Sequence, residues 1–253
     1  MIYDVQKASM LKRVSAWLLD IILLLVLTVG LGALISLVTG YDGYNEQLLA
    51  GYDRYETQYG VEFDVDPQQW ESMSEADQQL YTEAYEALLA DREVMHAYNM
   101  VVNLMLVSVS VSFLIAYLVL EFAVPLALKN GQTLGKKVFS LALMRSDGVR
   151  ITPFMLFVRT VLGKYTIETM IPVLVALMIF LGTIGLIGPT IVFILLLIQV
   201  IMLMVTRYNT AIHDFISHTV VVDVNSQLIF DTPEDLVAYK QKIAAEKAAK
   251  QDY

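Results

Sequence analysis

The chain contains no cysteine at all among its 253 residues. That absence excludes a disulfide framework, a thiolate zinc site and a cysteine nucleophile. Charge is also scarce: 17% of residues are Asp, Glu, Lys or Arg, against roughly 25% in an ordinary soluble domain. Only three histidines are present. No internal repeat or low-complexity tract interrupts the chain. What replaces charge is apolar surface, 57% of the sequence, gathered into runs longer than a soluble core requires.

Those runs set the architecture. A hydrocarbon core of about 30 Å needs roughly 20 helical residues to cross it. Val14 to Val38 is one such run, broken only by Asp20, and Asn99 to Leu120 is a second. Thr169 to Thr206 is a third stretch without any charged side chain. As one helix it would reach about 57 Å, too long for a single crossing. Gly182, Gly185, Gly188 and Pro189 near its middle predict a hairpin of two spans. An earlier start to the third span would draw Lys164 and Glu168 to the membrane interface. The first run is too long for a signal-peptide core and lacks a clear cleavage site, so it is read as a retained span.

Charge orients the spans. Lys and Arg concentrate on the cytoplasmic side of membrane proteins. Lys7, Lys12 and Arg13 precede the first run, opposed by Asp4, and Lys129 to Ile167 holds seven bases against Asp147 alone. Thr39 to Tyr98 instead carries 14 acidic residues and two basic ones, a net of −12, in a chain of net charge −9. The predicted fold is therefore an all-α integral membrane protein, a four-helix bundle with both termini in the cytoplasm, an acidic and mainly helical extracellular loop and a small cytoplasmic β-element. Its parts are the N-terminus and first span (1–38), the acidic loop (39–98), the second span (99–128), a basic segment (129–168), the transmembrane hairpin (169–206) and a cytoplasmic tail (207–253).

Local signals fill in the soluble parts. The acidic loop divides near Asp66-Pro67, and Ser74 to Asp77 predicts a capped helix that continues into the second span. Val138 to Met144 and Val149 to Thr152 flank Asp147-Gly148, which predicts a β-hairpin, and Thr219 to Val224 is a further strand able to pair with it. Thr232-Pro233-Glu234-Asp235 predicts a polar helix to about Lys250.

Arg13, Ala16 and Asp20 are spaced R-x-x-A-x-x-x-D at the start of the first span. Gly131-Gln132-Thr133-Leu134-Gly135-Lys136-Lys137, then Asp147-Gly148 and Arg159, form a central block, and His213-Asp214 with Thr219 and Val220 a closing one. In this order the three blocks resemble the RDD family of multi-pass membrane proteins. The family is named for one arginine and two aspartates, to which Arg13, Asp20 and Asp214 correspond. The resemblance implies a small multi-pass fold and, for some members, cation/proton exchange. The long acidic loop departs from the family's usually short first loop.

The candidate site follows from where charge meets the membrane. An aspartate two turns into a span is costly unless paired or hydrated, which singles out Asp20. Arg13 lies one heptad earlier, about 10 Å along the same helical face. Asp214, Glu121 and Glu168 arrive at the same membrane level, with Arg159 as a second cation and His213 alongside. These seven residues form either an ion or proton site or a structural ion cluster that anchors the helix ends. His213 and His218 lack a third ligand, so no metal is expected, nor is a cofactor. Gly131 and Gly135 beside Lys136 and Lys137 lack P-loop spacing and read as a turn with lipid-headgroup contact. Glu62, Asp64 and Asp66 read as a solvated acidic face. No nucleophile–base set, dinucleotide fingerprint or nucleic-acid stripe is present, so neither an enzyme nor a nucleic-acid partner is expected. The two remaining readings are a small transporter or monovalent cation/proton exchanger, and a membrane component binding a protein partner through the acidic loop or the β-element. Besides the lipid bilayer, the expected partner is a second copy or another membrane protein.

Overall fold

The computed structural model describes residues 5–128 and 130–251; Asp4 and Lys129, two of the charges counted above, lie outside the described residues. Helices come in two kinds. Four are long and apolar enough to cross a membrane: α1 (Met10–Thr39), α5 (Arg92–Ala127), α7 (Pro153–Phe180) and α8 (Ile187–Val205). The others are α2 (Tyr41–Tyr59), α3 (Pro67–Ser72), α4 (Glu75–Ala90), α6 (Leu134–Val138), α9 (Ile212–Ile216) and α10 (Pro233–Gln251). Two short strands, β1 (Leu141–Arg145) and β2 (Thr219–Asp223), complete the described elements.

Leu25 to Ala116 forms one compact unit. Its connections stop where the sequence supplies caps. Asp66 accepts from the Gln68 and Gln69 amides, both at 2.8 Å, and the Gln69 side chain returns the bond to the Asp66 amide, closing a capping box ahead of Pro67. Ser74 caps α4 through the Asp77 amide. That helix does not run on into the second span as expected. Asp91 is extended and caps α5, accepting from the Glu93 and Val94 amides. A short acid competes with helical backbone for those donors, and here it wins. Leu48, Leu88, Val94 and Ala97 form the core, with Tyr52, Tyr55 and Phe63 packed on it. Arg54 pairs with Asp91, which also accepts from the Tyr55 hydroxyl.

The chain up to Leu24 joins the chain from Tyr117 onward in a second compact unit. At its centre β1 and β2 pair antiparallel, with Leu141 opposite Asp223 and Arg145 opposite Thr219. Two strands alone are marginal in water, but here both faces are covered. Leu141, Leu143 and Val221 pack with Ala8, Ala16, Ile151 and Leu156, while Ala142, Met144, Val220 and Val222 form the other buried layer. The N-terminal segment adds to β2 through a Lys7–Val222 bridge and the Ala8 amide on Val221.

Two expectations change. The Asp147-Gly148 turn forms, with the Gly148 amide on Arg145 and the Arg145 amide on Val149, but Val149 to Thr152 does not become a hairpin strand. It makes single bridges, Met144 to Arg150 and Val149 to Phe230. Pro153 lacks an amide and opens α7 two residues after Ile151, so β1 finds its ladder on the Val220–Val222 run instead. The third crossing helix also begins at Pro153 rather than Thr169, capped by the Thr152 hydroxyl on the Met155 amide. Lys164 and Glu168 are tolerated within it because both are paired, as described below. The turn at 181–186 separates α7 from α8 as the glycines predicted.

Candidate functional site: two buried charge clusters

The first cluster is built on Asp214. It sits three residues into α9 and folds back to accept from the Ala211 amide at 3.2 Å. Arg159, on α7, presents a fork to Oδ1, with Nε at 3.0 Å and Nη2 at 2.8 Å. Arg13, on α1, reaches Oδ2 from Nη2 at 3.3 Å and the Asn209 carbonyl from Nη1 at 2.5 Å. The Thr219 hydroxyl adds a longer contact of 3.4 Å. The Asp214 side chain is 1% exposed. Burial alone would raise its pKa, but the guanidiniums of Arg159 and Arg13 outweigh burial and hold it well below the usual carboxylate range.

His213 is fixed by Glu168. The His213 amide donates to Glu168 Oε1 at 2.9 Å, and Nδ1 lies 2.7 Å from Oε2. Burial, reinforced by Arg159, depresses the His213 pKa even though Asp214 and Glu168 pull it up. The ring is therefore neutral at pH 7 and donates Nδ1–H to Glu168. A side chain on Gly163 would stand 2.7 Å from His213 Cβ, so only glycine lets α7 and α9 approach this closely.

The second cluster starts from an ion pair between two widened helical stretches, one of which also carries Arg159 and Glu168. Residues Leu118–Ala123 of α5 and Val158–Met170 of α7 are π-helical, a geometry that recurs at functional sites. Glu121, 6% exposed, pairs with Lys164 at 2.5 Å across these two stretches. The Thr160 hydroxyl donates to the Glu121 carbonyl, and the Tyr117 hydroxyl donates to the Thr160 carbonyl.

Asp20 belongs with this group and not with Arg13. Its Oδ2 accepts from the Thr133 hydroxyl at 2.5 Å and its Oδ1 from the Gly135 amide at 2.8 Å. Of the two carboxylates open to Arg13, Asp20 and Asp214, it takes Asp214, together with the Asn209 carbonyl. Asp20 instead reads the Gln132–Gly135 turn through uncharged donors. Gly135 is forced by that approach: a Cβ there would lie 2.2 Å from the Ala16 carbonyl. Lys136 then places Nζ 3.3 Å from the Thr133 hydroxyl. Burial lowers the Lys136 pKa to about 8, with Arg159 and Lys164 adding to the shift and Glu121 and Asp20 opposing it.

All seven expected residues are thus in this unit, divided between two groups. Arg13, Arg159, Glu168, His213 and Asp214 form the first; Asp20 and Glu121 anchor the second. Thr133, Lys136 and Lys164 complete the second and were not among the expected site residues. Their signal was present in the Gln132–Lys137 block and in the lone lysine ahead of the third apolar run. Among the described residues, no group of three or more His, Asp or Glu side chains could hold a metal ion.

Four helices long and apolar enough to cross a membrane, with their buried charges paired, mark a multi-pass membrane protein. The RDD family pattern matches residues 7–218, and the chain belongs to the RDD family of membrane proteins. The match runs through the acidic segment and ends just before β2. No curated protein and no solved structure matches the chain.

Proposed function

We propose that the chain is a monovalent cation/proton exchanger and that Lys136 carries the proton. The observation that supports this reading is the unequal make-up of the two clusters. Asp214 is saturated by two arginines that never lose their protons, which suits an anchor. The second cluster holds two carboxylates, Asp20 and Glu121, with two lysines, one of which has its pKa lowered to about 8. With Lys136 charged, the four groups are neutral. When Lys136 releases its proton, one carboxylate is left uncompensated near the membrane, and a monovalent cation is the replacement charge. Thr133 links the parts, accepting from Lys136 Nζ and donating to Asp20. In this reading the basic segment and both termini face the cytoplasm and the acidic segment faces outward, as the charge asymmetry favours.

The test is cation-driven pH change in proteoliposomes between pH 6 and 9. Exchange should rise with pH through about 8, because the fraction of Lys136 that has released its proton, leaving a carboxylate for the cation, grows there. Lys136→Gln, which cannot titrate, should lose that dependence and most of the activity, and Asp20→Asn should lose activity while the fold survives. A well-folded wild-type protein giving no signal with any of several monovalent cations would discard exchange in favour of partner binding through residues 39–98.

A further inference from the structure

Arg150 stands apart from both charge clusters. Its backbone is fixed, with the amide donating to the Phe230 carbonyl at 2.8 Å and a bridge to Met144. Its Nη2 pairs with Asp231 at 2.7 Å, in the open, where the aspartate side chain is 65% exposed. Its Nε is different: it is buried and has no hydrogen-bond partner among the described residues. A donor shut away from water without an acceptor is rare in folded proteins and invites an acceptor oxygen.

Arg150 lines a cavity of about 200 Å³. The other walls are Pro125 and Leu126 at the end of α5, Pro153 and Leu156 at the start of α7, and Gly131, Ile151 and Thr152 between them. One helix long enough to cross a membrane ends and another begins here, which favours a position at a membrane face, where phospholipid phosphates meet their acyl chains. The lining has two characters. Pro125, Leu126, Ile151 and Leu156 are apolar, and the guanidinium supplies a planar set of donors suited to phosphate oxygens. Leu126 and Phe154 also expose apolar surface beside it, 42% and 73% respectively, continuing the apolar wall outward.

We infer that this cavity binds the phosphate group of a phospholipid, with Arg150 as the phosphate ligand and the α5–α7 walls taking the first acyl carbons. The chemistry recognised is a phosphate oxygen, which a free phosphate could also supply; the apolar walls favour the lipid. Asp231 competes for the same guanidinium from the solvent side. The site is independent of cation exchange and its failure would leave that reading untouched.

Native mass spectrometry and thermal unfolding of the full chain in neutral detergent test the assignment, with short-chain phosphatidylglycerol and inorganic phosphate as separate probes. Phosphatidylglycerol should bind and raise the unfolding temperature, whereas phosphate at equal concentration should not. Arg150→Gln should weaken lipid binding about tenfold, and the control Arg145→Gln, whose guanidinium pairs with Asp147 outside the cavity lining, should leave it unchanged. Asp231→Asn, which removes the competing charge without touching the cavity, should tighten binding several-fold. Leu126→Trp, which fills the cavity, should abolish it even if Arg150→Gln fails to fold. Equal stabilisation by inorganic phosphate would overturn the lipid assignment. Lipid binding unaffected by both Asp231→Asn and Leu126→Trp would overturn the site.

Discussion

Asp214 accepts from Arg159, Arg13, the Ala211 amide and Thr219 while almost fully buried. Removing a partner from such a carboxylate leaves charge behind in a poorly solvated place, which typically costs about 3–5 kcal/mol. Arg159→Ala should lose that much in thermal unfolding in detergent, because its fork supplies two of the shorter bonds. Arg13→Ala should lose less, about 1.5–3 kcal/mol, for one long bond to the carboxylate and one to a carbonyl. The double variant of Arg13 and Asp214 should cost less than the sum, and that of Arg13 and Asp20 should be additive within about 0.5 kcal/mol. Coupling between Arg13 and Asp20 would contradict the division into two clusters. The pairing of Arg13 with Asp214 was readable in advance, since opposite charges at one membrane level seek each other. The partners of Asp20 were not, because a threonine hydroxyl and a glycine amide carry no charge to count.

At the level of elements, close approach decides which contacts form. α1 and α6 meet where Gly135 leaves room for the Ala16 carbonyl, so Gly135→Ala should cost about 2 kcal/mol or more through overpacking. Gly30, in the same long helix as Ala16, has nothing within 4 Å of a built Cβ. Gly30→Ala should therefore be neutral or stabilising by up to about 1 kcal/mol. Equal losses at the two positions in parallel melts would remove the steric account. Apolar length made the four crossing helices legible, and Asp66, Ser74 and Thr232 marked true helix starts. Of the two partners expected for β1, only the later one, Thr219 to Val224, forms a ladder. A β-rich run beside a tight turn suggests its sequence neighbour, whereas the helix opened at Pro153 stops that neighbour at single bridges and leaves the ladder to residues some 80 positions later. The π-helical turns that bring Glu121 to Lys164 have no signature in composition, since they depend on packing across two helices.

For the whole molecule, the charge asymmetry predicts a definite orientation. Ser72 and Ser146 are exposed and lie in the acidic and basic segments, and the chain has no native thiol. In intact cells an impermeant thiol reagent should label Ser72→Cys and spare Ser146→Cys; the reverse pattern would invert the topology. The second unit also joins the two ends of the chain: the Gln6 amide donates to the Gln227 side chain, Lys12 pairs with Asp223, and Arg13 waits for Asn209 and Asp214. At about 5–20 residues per second, translation reaches those partners roughly 10–40 s after it has made Arg13. Arg13 and Asp20 are therefore made long before the groups that pair with them exist, Asp20 about 110 residues ahead of its turn. Ribosome speed thus sets how long an unfinished chain carries these charges without their partners, and a chain halted before Asp214 would leave Arg13 without its carboxylate.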